Sequence, residues 1–206
     1  MRLFWPVRTF AEMTEDALLF RNKKRISRHT EFEVIPIKQL KKYLIIGIFF
    51  VLTLGSLSHF FYEWSNHSFL VGLFTPVSES VWEHMKLIFF PMLLYSFIII
   101  PKCKAAFPCI TSAFLSGILA GTTLMPVIFY TYTGILGFHT LILDIGTFAL
   151  SSILAFFIAC RLALSCRMKN YVPYLYAAIC LFVIFFFVFS CCPPDAGLFL
   201  DPAAAS

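Results

Sequence analysis

Two histidines and three carboxylates, His59, Glu63, Glu83, His84 and Asp144, are the groups in this chain whose types and positions could do chemistry. Imidazole nitrogen and carboxylate oxygen suit zinc or another divalent ion, and a catalytic ion of that kind takes about three protein ligands and a water. His59, Glu63 and His84 are the candidate metal ligands. Glu83, His84 and Asp144 are the candidate acid–base residues of a metal-dependent hydrolase. No HExxH, GxSxG or P-loop accompanies them, so hydrolysis rests on residue type and depth rather than on a diagnostic spacing. The same carboxylates would serve a proton- or cation-linked transporter or an accessory subunit. Five helices without an inverted repeat leave a transporter little room for alternating access. Whether the protein is an enzyme stays open at this level.

Depth is what joins these residues. The apolar stretch Leu87–Ile100 rises only about 21 Å as a helix, short of the ~30 Å of a bilayer core, which draws the preceding SVWEHMK turn (Ser80–Lys86) into the membrane boundary. At about 100° per residue, Glu79, Glu83 and Lys86 share one helical face while His84 points away from Glu83, beside Ser80. Lys86 is therefore expected to pair with Glu83, Glu79 or Glu63. Two other helices carry polar stripes at the same level: Ser56, His59 and Glu63 end one, and Thr140, Asp144, Thr147 and Ser151 begin another. An ionisable group within a membrane costs about 2.5–3.5 kcal/mol, so such groups pair, face the bundle interior and mark function. Each also has a purely structural role available. Ser80 and Glu83 fit an S-x-x-E capping box, Lys86 can snorkel or pair at i+3, and His59 with Glu63 can simply close a helix end.

The elements that must position these groups are five apolar runs, roughly Lys42–Trp64, Ser80–Ile100, Ala105–Thr131, His139–Leu164 and Pro173–Ser190, each about the 20 residues that cross a membrane. With only 13% charged residues, the chain lies well below the roughly one quarter of soluble domains. The fold class expected is an all-α polytopic bundle of five transmembrane helices. Fifteen of the 16 Lys and Arg residues fall before Tyr43 or in alternate loops, whereas every acidic residue after Glu33 falls on the opposite side. The positive-inside bias then predicts the N-terminus inside and the C-terminus outside, in the cell membrane. Residues 1–39 read as a basic cytoplasmic tail, disordered or an interfacial helix, residues 40–202 as the five-helix domain, and residues 203–206 as a short outer tail.

Residues 1–42 hold 10 basic and 5 acidic groups and account for the whole net charge of +5. That excess points to anionic inner-leaflet lipid. Nucleic acid is not an expected partner, because the basic cluster lacks an aromatic ladder or a recognition fold. Seven cysteines show neither CxxC nor zinc spacing, and no disulfide is expected. Helix contacts are predicted at two small-residue stripes, Ala113/Gly117/Gly121 and Ser151/Ala155/Ala159/Ala163. Pro91 and Pro126 should kink their helices, and the apolar loop Ser65–Glu79 should lie at the interface or fold back over the bundle.

Three segments, GSLSHFFYEWS (Gly55–Ser65), LFTPVSESVWEHMKLIFFPMLLYS (Leu73–Ser96) and PPDAGLFLDP (Pro193–Pro202), together resemble an uncharacterised family of small bacterial multi-pass membrane proteins, a domain of unknown function. The similarity covers about residues 40–202, and the SVWEH phrase is its specific part. The resemblance implies an integral membrane location in bacteria, mostly Gram-positive, and no activity. Family members usually carry a His after the Pro-Pro near the C-terminus. Asp195 stands there in this chain, which removes the expected C-terminal ligand. Relatives also run on past LFLDP, so a shortened C-terminus is expected.

Overall fold

The computed structural model describes residues 10–201, with side chains from Ile37 onward. Most of the expected basic tail 1–39, and the outer tail 203–206, lie outside the described side chains. The chain divides into a unit Met1–Leu40 and a unit Lys41–Ser206, and the site lies wholly within the second. The elements are α1 (Phe10–Trp64), α2 (Phe69–Gly72), α3 (Val81–His84), α4 (Lys86–Cys103), α5 (Ile110–Leu136), α6 (Leu141–Ser165), a 3₁₀ turn Lys169–Tyr171, and α7 (Val172–Cys191). Among the described residues, five helical segments are long and apolar enough to cross a membrane: Ile37–Trp64, Val81–Cys103, Ile110–Leu136, Leu141–Ser165 and Lys169–Cys191. The third begins five residues later than expected, because Pro108 disfavours helical backbone at Phe107 and a turn intervenes.

The five spans leave Phe97, Ile135, Ile142 and Tyr174 largely exposed, an apolar outer surface that suits hydrocarbon and not water. Their inner packing follows the small-residue stripes. A Cβ added to Gly121 would stand 2.5 Å from the Ala155 Cβ, and one added to Gly117 would stand 2.8 Å from the Ala155 carbonyl oxygen. These glycines bring α5 and α6 backbone to backbone, which is how helices gain contact when lipid removes the hydrophobic drive between them. Gly137 (φ 77°) caps α5, and Thr140 caps α6 by accepting from the Leu143 N–H at 3.4 Å. The short link makes the two helices an antiparallel hairpin.

A close approach that sequence reading does not anticipate joins α1 to α4 and α6. Pro91 has no N–H, which frees the carbonyl of Leu87 one turn earlier. A Cβ at Gly55 would lie 2.6 Å from that oxygen and 2.6 Å from the Phe148 ring. Further along, the Tyr95 hydroxyl donates to the Tyr43 carbonyl at 2.6 Å. α7 packs by its aromatic rings, with Phe186 fully buried against Phe89 and Trp82.

Two segments fold back over the same end of the bundle. The loop after α1 seats Phe74 against Phe90 and Phe187. The C-terminal segment accepts the Trp82 N–H at the Leu198 carbonyl (3.0 Å) and the Tyr130 hydroxyl at the Gly197 carbonyl (3.0 Å). At the opposite end, Cys109 and Cys166 form a disulfide, which corrects the expectation of none. One precedes α5 and the other follows α6. The 57-residue separation closes because the hairpin is antiparallel, and no sequence spacing encodes that.

The α5–α6 contact yields a direct comparison. Gly121→Val is expected to cost about 1–3 kcal/mol through overpacking. Gly146→Ala, where nothing lies within 4 Å, should leave stability unchanged or slightly raised. Melting temperatures of the two purified variants check the contrast.

Candidate metal centre

The last turns of α1, α3, the start of α4, the outer half of α5, the first turns of α6 and Asp201 of the C-terminal segment surround a cavity of about 720 Å³. His59 enters it from the last turns of α1, with Ser56 one turn deeper. Glu63, the third member of that stripe, is exposed and lies outside the lining. The helix ends one residue later at Trp64, so the stripe runs past the cavity mouth.

Glu79 takes the place expected of Glu63. It precedes Ser80, whose backbone is extended (φ −67°, ψ 150°) and whose hydroxyl caps α3 by accepting the Glu83 N–H at 3.3 Å. The helical phase that would have put Glu79 beside Lys86 therefore stops at Ser80, and the Glu79 side chain turns to the histidines instead. Its Oε2 lies 3.5 Å from His59 Nε2 and 3.4 Å from His84 Nε2. The two imidazole rings are 5.2 Å apart between centroids. One ligand atom from each of the three residues lies within 4.8 Å of the others.

The tautomer of His84 follows from its other nitrogen. Nδ1 sits 2.9 Å from the Ser80 carbonyl oxygen, which can only accept, so Nδ1 carries a proton. In the neutral ring Nε2 is then a lone pair facing a carboxylate oxygen at 3.4 Å. Two acceptors in that position call for a positive charge between them, either a proton or a metal ion. A backbone carbonyl on the far nitrogen is also how metal-binding histidines are held in orientation. Ligands about 2.1 Å from a tetrahedral zinc stand roughly 3.4 Å from one another. The two separations to Glu79 Oε2 match that edge.

Asp144 lies on another wall of the cavity, in the first turn of α6. The Tyr132 hydroxyl donates to its Oδ1, and His139 Nδ1 lies 3.3 Å from its Oδ2. The carboxylate thus has a phenol on one oxygen and an imidazole on the other, an arrangement that can hold or pass a proton. His139 also lines the cavity, as does Asp201 from the C-terminal segment.

Glu83 has a different environment from the one a catalytic acid needs. It is buried, and its Oε2 accepts from Lys86 Nζ at 2.7 Å and from the Val77 N–H at 2.9 Å. Its Oε1 lies 2.9 Å from Ser190 Oγ, and it does not line the cavity. Lys86 is 0% exposed. It also donates to the carbonyls of Gly72 (2.9 Å) and Thr75 (3.3 Å) and to Ser190 Oγ (2.5 Å). Of the three partners open to Lys86, the structure selects Glu83. The pair joins the loop, the α3–α4 junction and α7.

Of the residues selected from sequence, the structure brings His59, His84 and Asp144 to one cavity. Glu63 stands outside it and Glu83 behind it. Residues 32–206 match the profile of DUF6512, a family of unknown function. The chain belongs to that family. The DUF6512 match spans the cavity, the Lys86 network and the docked C-terminal segment alike. Comparison with curated proteins and with solved structures gives no match.

The buried pair generates a double-mutant test. Glu83→Gln or Lys86→Met alone should each cost about 3–5 kcal/mol, because each strands an uncompensated charge. The double variant should cost clearly less than the sum of the singles, and a cycle of thermal or denaturant unfolding free energies measures the coupling.

Proposed function

We propose that this DUF6512 protein is a multi-pass membrane protein that binds a zinc-class divalent ion through His59, Glu79 and His84 and uses it on a molecule held in the adjoining cavity. The observation that carries the reading is the pair of imidazole nitrogens converging on one carboxylate oxygen at 3.4–3.5 Å, beside a cavity rather than inside a closed shell. Structural zinc sites close with four protein ligands, whereas a catalytic site keeps a position for water or substrate. Hydrolysis is the reaction class that fits such an ion, which polarises a carbonyl or phosphoryl oxygen and lowers the pKa of bound water. Asp144, held between Tyr132 and His139, is the acid–base group proposed for the opposite wall.

The proposed location is the cell membrane, with the N-terminus inside and the His59 end outside. The support is the charge distribution: Lys102, Lys104, Arg161, Arg167 and Lys169 lie at the far end from the cavity. The Cys109–Cys166 disulfide shares that end and argues the other way, since cytoplasmic thiols are kept reduced. Charge outweighs it, because 15 of the 16 basic residues agree and orientation during insertion follows Lys and Arg counts. The basic N-terminal segment is proposed to rest on anionic lipid. A reporter fused after Ser206 is expected to be active only outside the cytoplasm, and activity only inside reverses the topology.

Metal analysis of the purified protein tests the site. Wild type should carry close to one equivalent of zinc after equilibration with the ion. His59→Ala, His84→Ala and Glu79→Gln should each lower affinity at least about 10–100-fold, the scale of disturbance seen even for groups that only orient ligands. Glu63→Gln should bind as wild type does. Full zinc retention in Glu79→Gln together with loss in Glu63→Gln would return the ligand set to the one expected from sequence.

A further inference from the structure

The cavity beside the proposed metal site is amphipathic: its ionisable groups lie toward the helix ends, and its deeper wall is largely apolar, with the Ser56 and Thr147 hydroxyls as its polar members. The ionisable groups His59, Glu79, His84 and Asp144 form a rim. Leu87, Met125 and Phe148, all buried, form a floor. Each floor residue lies three or four positions further into its span than a rim residue or neighbouring wall residue: Leu87 from His84, Phe148 from Asp144, Met125 from Phe129. That is about one helical turn, roughly 4.5–6 Å deeper along each helix.

A second observation shows where the cavity opens. Phe60 on α1 and Leu141 and Ile145 on α6 all line it, yet they remain 48%, 74% and 57% exposed. A side chain can be both only at a mouth. These residues belong to the candidate spans Ile37–Trp64 and Leu141–Ser165, so the mouth opens sideways between two helices apolar enough to cross a membrane. Its lower limit is the Gly55–Phe148 contact, where α1 and α6 touch. Beyond that point, toward His59 and Asp144, the two helices border the cavity from either side.

We propose that the ligand of this site is a membrane-borne amphiphile with an oxygen-donor head group of ester or phosphate type and a hydrocarbon chain. It enters sideways from the adjacent leaflet through the gap between α1 and α6. The head group reaches the rim, where an ion held by His59, Glu79 and His84 would take an oxygen ligand. The chain lies against the floor and leaves through the mouth past Phe60 and Ile145, so that little of it needs to leave hydrocarbon. A water-soluble molecule would use the rim alone and leave the apolar floor without a partner. The inference rests on the metal reading above, because the ion is what selects the oxygen head group.

Cobalt(II) in place of zinc makes the test optical, since cobalt absorbs visible light and its spectrum responds to a ligand entering its open position. The full-length protein in detergent is loaded with cobalt and titrated with decanoate and, separately, with acetate as carboxylate probes. Decanoate should perturb the cobalt spectrum at a concentration at least about tenfold lower than acetate, because only its chain can be buried on the floor and in the mouth. Ile145→Trp and Phe60→Trp, both at exposed positions, should reduce that advantage to less than about threefold while leaving the acetate titration unchanged. Three outcomes overturn the proposal in distinguishable ways. No cobalt spectrum in wild type removes the metal reading and this inference with it. A cobalt spectrum with equal sensitivity to decanoate and acetate leaves the metal site standing and removes the amphiphile. A chain-length advantage that survives in both tryptophan variants removes the lateral mouth.

Discussion

Lys86 carries an ammonium group on a side chain with 0% exposure, and the placement of the loop that leads to Glu79 depends on how that charge is satisfied. Removing such a group from water is costly unless partners of good geometry replace the lost hydration. Here they come from three parts of the chain: the Glu83 carboxylate one turn away, the Gly72 and Thr75 carbonyls of the loop after α1, and Ser190 on α7. Glu83 is in turn completed by the Val77 N–H and by Ser190. The loop is therefore fastened at Gly72, Thr75 and Val77, in the residues just before Glu79.

That fastening divides labour among neighbouring acidic groups. Glu83 is engaged by the lysine, the backbone and a serine, and it stands behind the cavity wall. Glu79, four residues earlier and outside the helix, faces two histidines and makes its contacts across the cavity wall. The α3 cap explains how two carboxylates so close in sequence come to serve such different ends. Ser80 ends the helical phase, and the side chain before it is free to point elsewhere. The same cap orients His84 through the Ser80 carbonyl, so one residue aligns both a carboxylate and an imidazole.

The opposite wall depends on a different contact. Asp144 sits where it does because α6 starts at Thr140 and is pressed against α5 through Gly117, Gly121 and Ala155. This hairpin carries Tyr132, His139 and Asp144 into reach of one another across the short link. α1, held against α4 and α6 at Gly55, then brings His59 to the same level. The cavity is what remains between these helices above their closest contacts, and buried Leu87, Met125 and Phe148 make its deeper wall largely apolar.

Much of this was legible in the sequence, for reasons of local chemistry. Apolar runs of about 20 residues determine where helices can cross a membrane, since backbone groups in hydrocarbon must be satisfied within the helix. The small-residue stripes of α5 and α6 marked two close-packing faces, because only small side chains let helix backbones approach, and the structure sets the two against each other. The spacing on the second span indicated that Lys86 pairs with a carboxylate, with Glu83, Glu79 and Glu63 all open to it, and the structure selects Glu83. Only the tertiary structure decided which carboxylate faces the histidines, that Glu63 is left outside, and that Cys109 and Cys166 meet. Each of these turns on where a helix ends or which helices lie side by side. Side-chain direction can be computed from residue spacing within a helix, but that relation is lost at Ser80, at Trp64 and across every loop. Beyond those points position in space is set by packing: the buried charge of Lys86 fixes the loop before Glu79, and the glycine contacts of α1, α5 and α6 fix the rest.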